Sequence, residues 1–569
     1  MIDILKLQLK NELEAALLAR FQTAVNIVIE EPKRRDQGDL SIPAFVVSKA
    51  LRMALPEVAK VIAEELAAST QMPLIAKIQN LGGFVNLFLD KKAIAKKLIS
   101  DFQDRQSVYH ADLPANGKTV CIDYSSPNIA KSFSVGHLRS TIIGQAIGNL
   151  LSKLGHRVVR INHLGDFGTQ FGKIIYAYLN CEDQAKVQKN PIQELSKLYV
   201  EFNEQAKTNP QLDSEARRIF KELEQGNPEY VALWTWIRAT SLQDYMKVYE
   251  LLGVAFDSYN GEAFYNDKMQ AIIDDLTAKG LLIEDDGAMI VDLGENMPPA
   301  LIQKSDGSTL YITRDLAALF YRKNTYHFDQ CLYVVGNEQK LHFEQIKAVV
   351  RKMGYPFADA VHHVNFGLIL QDGKKMSTRK GKVVKLEDVL AEAISLSASY
   401  IAEKNPLLEN QATIAEKIGV SAIIFNDLKN YRANDFEFDL EGMVKFEGQT
   451  GPYLQYTFVR ISSILNNEPF AFDGVIDADL FDNELYFEMV KQISVYQTTL
   501  EKAAMEYAPS VLAKYLLHLA SLFNTFYAQE KIMVDNVLEK NSKKHLLAMV
   551  HAILGDGMRL LGMHRIEKM

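Results

Sequence analysis

Cysteine is scarce in this chain: three in 569 residues, at Cys121, Cys181 and Cys331, with no CxxC pair and no histidine spacing that builds a zinc site. That excludes a disulfide scaffold and a zinc module, and it predicts three free thiols of the buried kind. Long apolar runs are missing as well, so no segment is predicted to span a bilayer. The start, MIDILKLQLKNELEAALLAR, is amphipathic, contains acidic residues and carries no small-residue cleavage site, unlike a secretory signal. The expectation is a cytoplasmic protein with no membrane partner. Nor is there an excess of positive charge, since 63 Lys and Arg against 71 Asp and Glu leave a net −8. That total neither advertises nor excludes a nucleic-acid partner, because binding depends on where the basic residues cluster. Internal repeats and low-complexity tracts are also absent.

What is present is an ordinary globular composition, 48% hydrophobic and 24% charged, in a chain too long for one core. Two to four domains are expected. Up to about residue 110 the pattern reads as helices with short strands: an apolar-periodic run at 42–51, a strand-like run at 83–89, a lysine-rich helix at 91–100 and a linker at 112–118. Then the β-branched run 119–124 predicts a buried strand, 138–154 a helix and 157–161 a second strand. The alternation returns at 331–335 (strand), 339–353 (helix) and 361–370 (strand), with a helical, polar insertion at about 180–300. Two halves of one parallel sheet leave a ligand crevice at the carboxyl ends of the strands. From about 385 the chain reads as helical, with Leu512, Tyr515, Leu516, Leu519, Leu522, Phe523 and Phe526 on one face.

Two segments carry chemistry. Gly136 and His137 fall where the loop after the first strand enters its helix, a point whose unpaired N–H groups and dipole attract phosphate. The glycine permits close approach of a nucleotide, and the imidazole can donate to a phosphoryl oxygen as charge develops. The second segment, DGKKMSTRKGK at 372–382, is a basic loop suited to closing over a triphosphate. Alone, each also reads as something plain: a capping loop with an incidental histidine, and a solvated basic loop.

Together they resemble the HIGH and KMSKS motifs of class I aminoacyl-tRNA synthetases, here SVGH at 134–137 and KMSTR at 375–379. Longer stretches resemble arginyl-tRNA synthetases in particular: DYSSPNIAK (123–131), VGHLRST (135–141), NHLGDFGTQFG (162–172), GEAFY (261–265), YITRD (311–315), GNEQKLHF (336–343), FGLI (366–369) and FNDL (425–428). These matches run in order across nearly the whole chain. The resemblance implies an arginine–tRNA ligase that activates arginine with ATP and Mg²⁺ and transfers it to the terminal ribose of tRNA(Arg), as a monomer and without a structural metal. It also implies that tRNA is needed before arginine is activated efficiently.

Carried over position by position, it makes His137, Lys375 and Lys131 catalytic, and Ser134, Gly136, His137, Met376, Ser377 and Arg379 ATP-binding. The arginine site becomes Asp123, Asn128, Tyr311, Asp315 and Gln339; Asp315, with Tyr311 nearby, is expected to hold the guanidinium, and Asp123, Asn128 and Gln339 to orient the amino-acid end. Two positions depart from the pattern: Ser134 replaces the first histidine of HIGH, and Thr378 the second lysine of KMSKS, whose charge Lys131 is placed to supply. QGDL (37–40), GFVNL (83–87), with Lys33, Arg34, Arg35, Lys91, Lys92, Lys96 and Lys97 as phosphate contacts, resemble the family's tRNA-corner module. GPYLQY (451–456) and the ending from LLGM (560–563) resemble its anticodon bundle. Asn86, Tyr453, Gln455 and Tyr456 are the tRNA candidates. The expected fold is multidomain α/β: an α+β tRNA-binding domain at 1–110, a Rossmann-type parallel-sheet catalytic domain at 111–384, a helical connecting region at 385–445 and an all-α anticodon-binding domain at 446–569. Two rivals stand beside this reading. A synthetase for lysine is opposed by Asp123, Tyr311, Asp315 and Gln339, and an RNA-binding relative without catalysis by intact His137 and Lys375.

Overall fold

The computed structural model describes residues 1–32, 34–104, 112–304, 311–376, 378–379 and 382–569, with only the backbone at 35, 378, 379, 382 and 383. These fall into two compact units: 1–111, 456–502 and 514–557 in one, and 112–455, 503–513 and 558–569 in the other. Among the described residues no helix is long and apolar enough to cross a membrane.

In the first unit the N-terminal helix Ile2–Phe21 buries Ile2, Leu5, Leu9, Leu13 and Leu17, one residue per turn. Strands β1 (Leu40–Pro43), β2 (Ile75–Leu81) and β3 (Phe84–Leu89) form an antiparallel sheet with β3 in the middle. Gly82 and Gly83 join β2 to β3 with φ of 56° and 90°, the left-handed pair that a two-residue hairpin requires. The run at 42–51 is therefore the end of a strand followed by the helix Phe45–Leu51. The lysine-rich helix Lys91–Asp104 buries Ile94, Leu98, Ile99 and Phe102. Its lysines are less free than expected: Lys91 meets Glu484, Lys92 lies 2.6 Å from Asp479, and Lys97 lies 3.4 Å from Asp101. In the helix Pro509–Gln529, Leu512, Leu516, Leu519, Phe523 and Phe526 are buried as their spacing predicts, while Leu522 is half-buried.

The second unit is built on β4 (Thr119–Asp123), which pairs in parallel with β5 (Arg157–Ile161). The helix Val135–Lys153 makes the crossover, pressed so close that a Cβ at Gly144 would lie 2.3 Å from the Tyr124 ring. It starts three residues earlier than its apolar spacing suggests, because Ser134 stands at its N-cap. The insertion is helical to Ala278 and then turns into a small antiparallel sheet of β6 (Ile283–Asp285), β7 (Ala288–Val291) and β8 (Ala300–Gln303), which the sequence reading did not foresee. The main sheet resumes with β9 (Gln330–Tyr333) and β10 (Val361–His363), in the parallel order β10-β9-β4-β5.

The expected strand at 361–370 ends at His363. Gly367 lies against residues 434–435, where a Cβ would stand 2.6 Å from the Asn434 carbonyl carbon, and its N–H donates to the Arg432 carbonyl at 3.0 Å. Residues Ile369–Gln371 (β11) accordingly pair with Phe436–Glu437 and with β12 (Lys374–Lys375), away from the main sheet.

The crossover helix is tied to the helix Gln411–Leu428 by Arg139 and Asp427, both almost fully buried. The Arg139 Nε lies 3.1 Å from Asp427 Oδ2, its Nη1 donates to the Asn434 carbonyl at 2.9 Å, and its guanidinium stacks over Phe366 and Phe436. Removing one member strands a buried charge, so Asp427→Ala is expected to cost about 3–5 kcal/mol. The double variant Arg139→Met with Asp427→Leu should cost less. Urea unfolding followed by circular dichroism, with the single and double variants side by side, measures the difference.

Candidate active site

Winding reverses between β4 and β9, so the crevice opens where these strands end, at Asp123 and Tyr333. The loop after β4 is held in an unusual shape, with Ser125, Ser126 and Ala130 all in the left-handed region. The Tyr245 hydroxyl reaches the carbonyls of Asn128 and Lys131 at 2.7 and 2.8 Å. The loop also lies flat on the segment after β5: Ile129 N–H donates to the Gly165 carbonyl, Gly165 N–H to that of Pro127, and a Cβ at Gly165 would stand 2.0 Å from Asn128 Oδ1. Any larger residue there would push the Asn128 amide aside.

At the helix N-terminus the Ser134 N–H donates to His137 Nδ1 at 3.1 Å, closing the turn reciprocally. Because Nδ1 accepts, the ring proton sits on Nε2, which has no partner among the described residues. Burial pushes the imidazole down to about 4, with the backbone at Ser134 opposing it and the nearby Lys131 charge acting in the same direction as burial. His137 is therefore a neutral N–H donor at a helix start whose Val135 and His137 amides are already taken, by the Val384 and Ser134 carbonyls. Lys131, on the same loop, leans 5.5 Å over the Tyr199 ring.

The outgoing end of the basic loop is bonded to this helix start, and the incoming end lines the same cavity. On the way in, Met376 N–H donates to the Ile369 carbonyl at 2.9 Å, with Met376 buried and Lys375 exposed. On the way out, Val135 N–H donates to the Val384 carbonyl at 3.0 Å and Leu386 N–H to that of Phe133 at 2.9 Å. A cavity of about 110 Å³ lies between, lined among others by Gly136, Arg139, Gly336, Glu338, Leu368 and Met376. Ser377 and the side chain of Arg379 fall outside the described residues.

The remaining candidates gather around a charged cluster. Asp123 accepts from Ser126 Oγ at 2.8 Å and pairs with Arg322 Nη2 at 2.7 Å, and that same nitrogen lies 3.2 Å from His163 Nδ1. Asp166 is held by Arg238 at 2.9 Å and by the Ala263 N–H. Glu262 lies 3.8 Å from Arg314, and burial raises its carboxyl to about 7. Asp315 and Tyr311 are one turn apart on the helix Tyr311–Tyr326, Tyr311 being 70% exposed. Asp315 Oδ2 is 2.6 Å from His342 Nε2. Burial works to raise the Asp315 carboxyl, but the bond from His342 and the charges of His342, His163 and Arg322 outweigh it and hold it below the usual carboxylate range. Gln339 is exposed on the 3-10 turn Asn337–Gln339, just ahead of His342. Arg322, His163, Glu262 and His342 carry no assignment in the sequence reading. His163, Glu262 and His342 lie inside the matched stretches NHLGDFGTQFG, GEAFY and GNEQKLHF, which was the available signal.

Two tRNA candidates are corrected. Asn86 is buried in β3 with its Oδ1 accepting from Ser41 Oγ at 2.7 Å, and Gln455 is fully buried with its Nε2 on the His564 carbonyl at 2.7 Å. Both amides stitch backbone and side chains internally and are not presented to solvent. Tyr456 is exposed, with Arg460 stacked 4.6 Å over its ring, and Tyr453 is half-buried.

Comparison with known proteins places the chain clearly. Residues 100–440 match the family model described as tRNA synthetases class I (R), catalytic domain. Residues 454–569 match the DALR anticodon binding domain, and residues 3–89 the arginyl tRNA synthetase N terminal domain. The chain is 49% identical over 552 residues to an arginine–tRNA ligase of Exiguobacterium sibiricum, with 96% of each chain covered. It is 48% identical over 543 residues to one of Enterococcus faecalis, with 95% of each covered. In fold it is similar to Thermus thermophilus arginyl-tRNA synthetase, with a TM-score of 0.82 over 99% of both chains at 22% identity.

The His137 environment has a measurable consequence. Its folded value of about 4 lies below the ordinary 6.5, so between these values the unfolded chain binds the extra proton. This residue's contribution to stability is complete above pH 6.5 and is lost as pH falls toward 4. NMR of selectively labelled histidine should show the His137 ring unchanged between pH 8 and 5.5; a midpoint near 6.5 would contradict its burial.

Proposed function

The chain belongs to the arginyl-tRNA synthetase family and is an arginine–tRNA ligase that consumes ATP, and from that premise we propose how its residues share the work. One observation carries the proposal: a neutral His137 donor at a helix start to which the outgoing end of the basic loop is bonded, in a crevice whose carboxylates are held by partners of their own. Mg²⁺ arrives with the nucleotide as part of the substrate.

In the first step an arginine carboxylate oxygen attacks the α-phosphorus, and the bond to pyrophosphate breaks. No protein nucleophile is needed, so catalysis is positioning and charge stabilisation. His137 Nε2–H and the Gly136 N–H receive the phosphoryl oxygens, with Ser134 beside them. Lys375, Lys131, Ser377 and Arg379 neutralise the departing pyrophosphate. Gly136 and Met376 bound the cavity that takes the nucleobase. Asp315 and Tyr311 hold the guanidinium, while Asn128 and Gln339 reach the amino-acid end. Asp123, with its oxygens already on Ser126 and Arg322, fixes the floor of the pocket. In the second step a terminal ribose hydroxyl of tRNA(Arg) attacks the activated carbonyl and AMP leaves.

The tRNA side follows the same premise. Residues 1–110 receive the outer corner of tRNA, 111–384 carry the chemistry, 385–445 connect, and 446–569 bind the anticodon loop. Tyr456 and Tyr453 offer faces to unpaired bases. The working form is a cytoplasmic monomer.

Charging of total tRNA with radiolabelled arginine, lysine and citrulline, with ATP and Mg²⁺, tests the whole reading: arginine alone should be attached. Charging by lysine would point to a different synthetase, and tRNA binding without charging to an RNA-binding relative. In the same assay His137→Asn should lower kcat by about 10²–10³ with tRNA affinity retained. Asp315→Asn should lower kcat/KM for arginine by about 100-fold or more.

A further inference from the structure

The acids around the pocket are not equivalent. Asp123 has a partner on each oxygen, Ser126 and Arg322. Asp166 is likewise filled on both sides, by Ala263 N–H and Arg238. Glu262 faces a cation, Arg314. Asp315 differs from all three: its Oδ2 takes one hydrogen bond, from an imidazole, and its Oδ1 has no partner among the described residues. Both members of this pair are part-exposed at the rim of the site, unlike the Arg139–Asp427 pair inside the fold.

A guanidinium is a planar fork of N–H donors, and it meets a carboxylate well only when the carboxylate plane is fixed. Among the described residues no side chain of its own helix hydrogen-bonds the Asp315 carboxylate, so the bond from His342 is what fixes its plane. Resting on the functional reading above, we propose that His342 is a positioning residue for arginine selection: its Nε2–H holds one Asp315 oxygen so that the other is aimed at the substrate guanidinium. His342 is three residues beyond Gln339, at the start of the helix Lys340–Lys352. One short segment thus orients the carboxylate at the side-chain end of the substrate and offers an amide to its other end. The cost of losing a hydrogen bond to a charged group then falls on arginine binding and leaves ATP binding alone.

The test is steady-state arginylation of tRNA(Arg) by the full-length protein, with thermal melting of each variant. His342→Ala should raise KM for arginine about tenfold or more, with kcat and KM for ATP within about twofold of the parent. His342→Gln, whose amide nitrogen stands near the place of Nε2, should return KM to within about threefold, whereas His342→Asn, which falls short, should behave like alanine. If the alanine variant melts too early to assay, the glutamine and asparagine variants decide between themselves. An unchanged KM for arginine, equal rises in KM for arginine and ATP, or indistinguishable glutamine and asparagine variants would overturn the proposal. A parent protein that charges no arginine would overturn the functional reading and this inference with it, whereas a parent that charges normally beside an unaffected alanine variant sinks the inference alone.

Discussion

A parallel sheet whose winding reverses between two neighbouring strands must leave a gap at their carboxyl ends, since the crossovers go to opposite sides. Here the gap lies between β4 and β9, and everything chemical is hung on its rim. Asp123 ends β4, the left-handed loop of Ser125, Ser126 and Ala130 follows, and the turn with Gly336 and Gln339 follows β9. Had β5 and β9 been laid down on the same side of β4, the helix start at Ser134 and the acids near Asp315 would not share one crevice.

Within that crevice the chain opposes nearly every buried charge with another before any substrate arrives. Asp123 has Arg322, Asp166 has Arg238, and Asp427 has Arg139. Pairing of this kind adds little net stability against an apolar core, but it leaves each group in one orientation. Among the described residues the groups kept back include the Nε2–H of His137, one oxygen of Asp315 and the exposed Lys374 and Lys375. The proposed function calls for both kinds in reserve, a carboxylate oxygen for a cation and N–H donors for a polyanion.

The basic loop is instructive for the same reason. Its lysines and arginine gain no function from being a cluster, since such a loop is ordinarily just solvated. What sets this loop apart is where it is tied, on the Ile369 carbonyl at one end and on Phe133 to Val135 at the other. The Gly367 approach to residues 434–435, which ends β10 early, is what turns β11 aside to carry that loop.

The sequence by itself determined the βαβ alternation, the place of the HIGH-like and KMSKS-like segments and the family, because strand and helix periodicity and contiguous motifs are local properties of a chain. The residues inside those motifs were legible as types: His137, Lys375, Asp315 and Gln339 all stood in matched stretches. Partnership was not legible. Arg139 and Asp427 lie 288 positions apart, Asp123 and Arg322 lie 199 apart, and His342 meets Asp315 across 27. No periodicity relates such pairs; only packing brings them within 3.2 Å. Burial was equally hidden, and it inverted two readings: Asn86 and Gln455 are amides of the sort that read RNA, yet strand pairing and helix packing closed over them. Local chemistry was written in the chain. Which groups are already occupied, and which are left to meet a substrate, was decided only by long-range packing, because a hydrogen bond's availability depends on what else lies within reach of it.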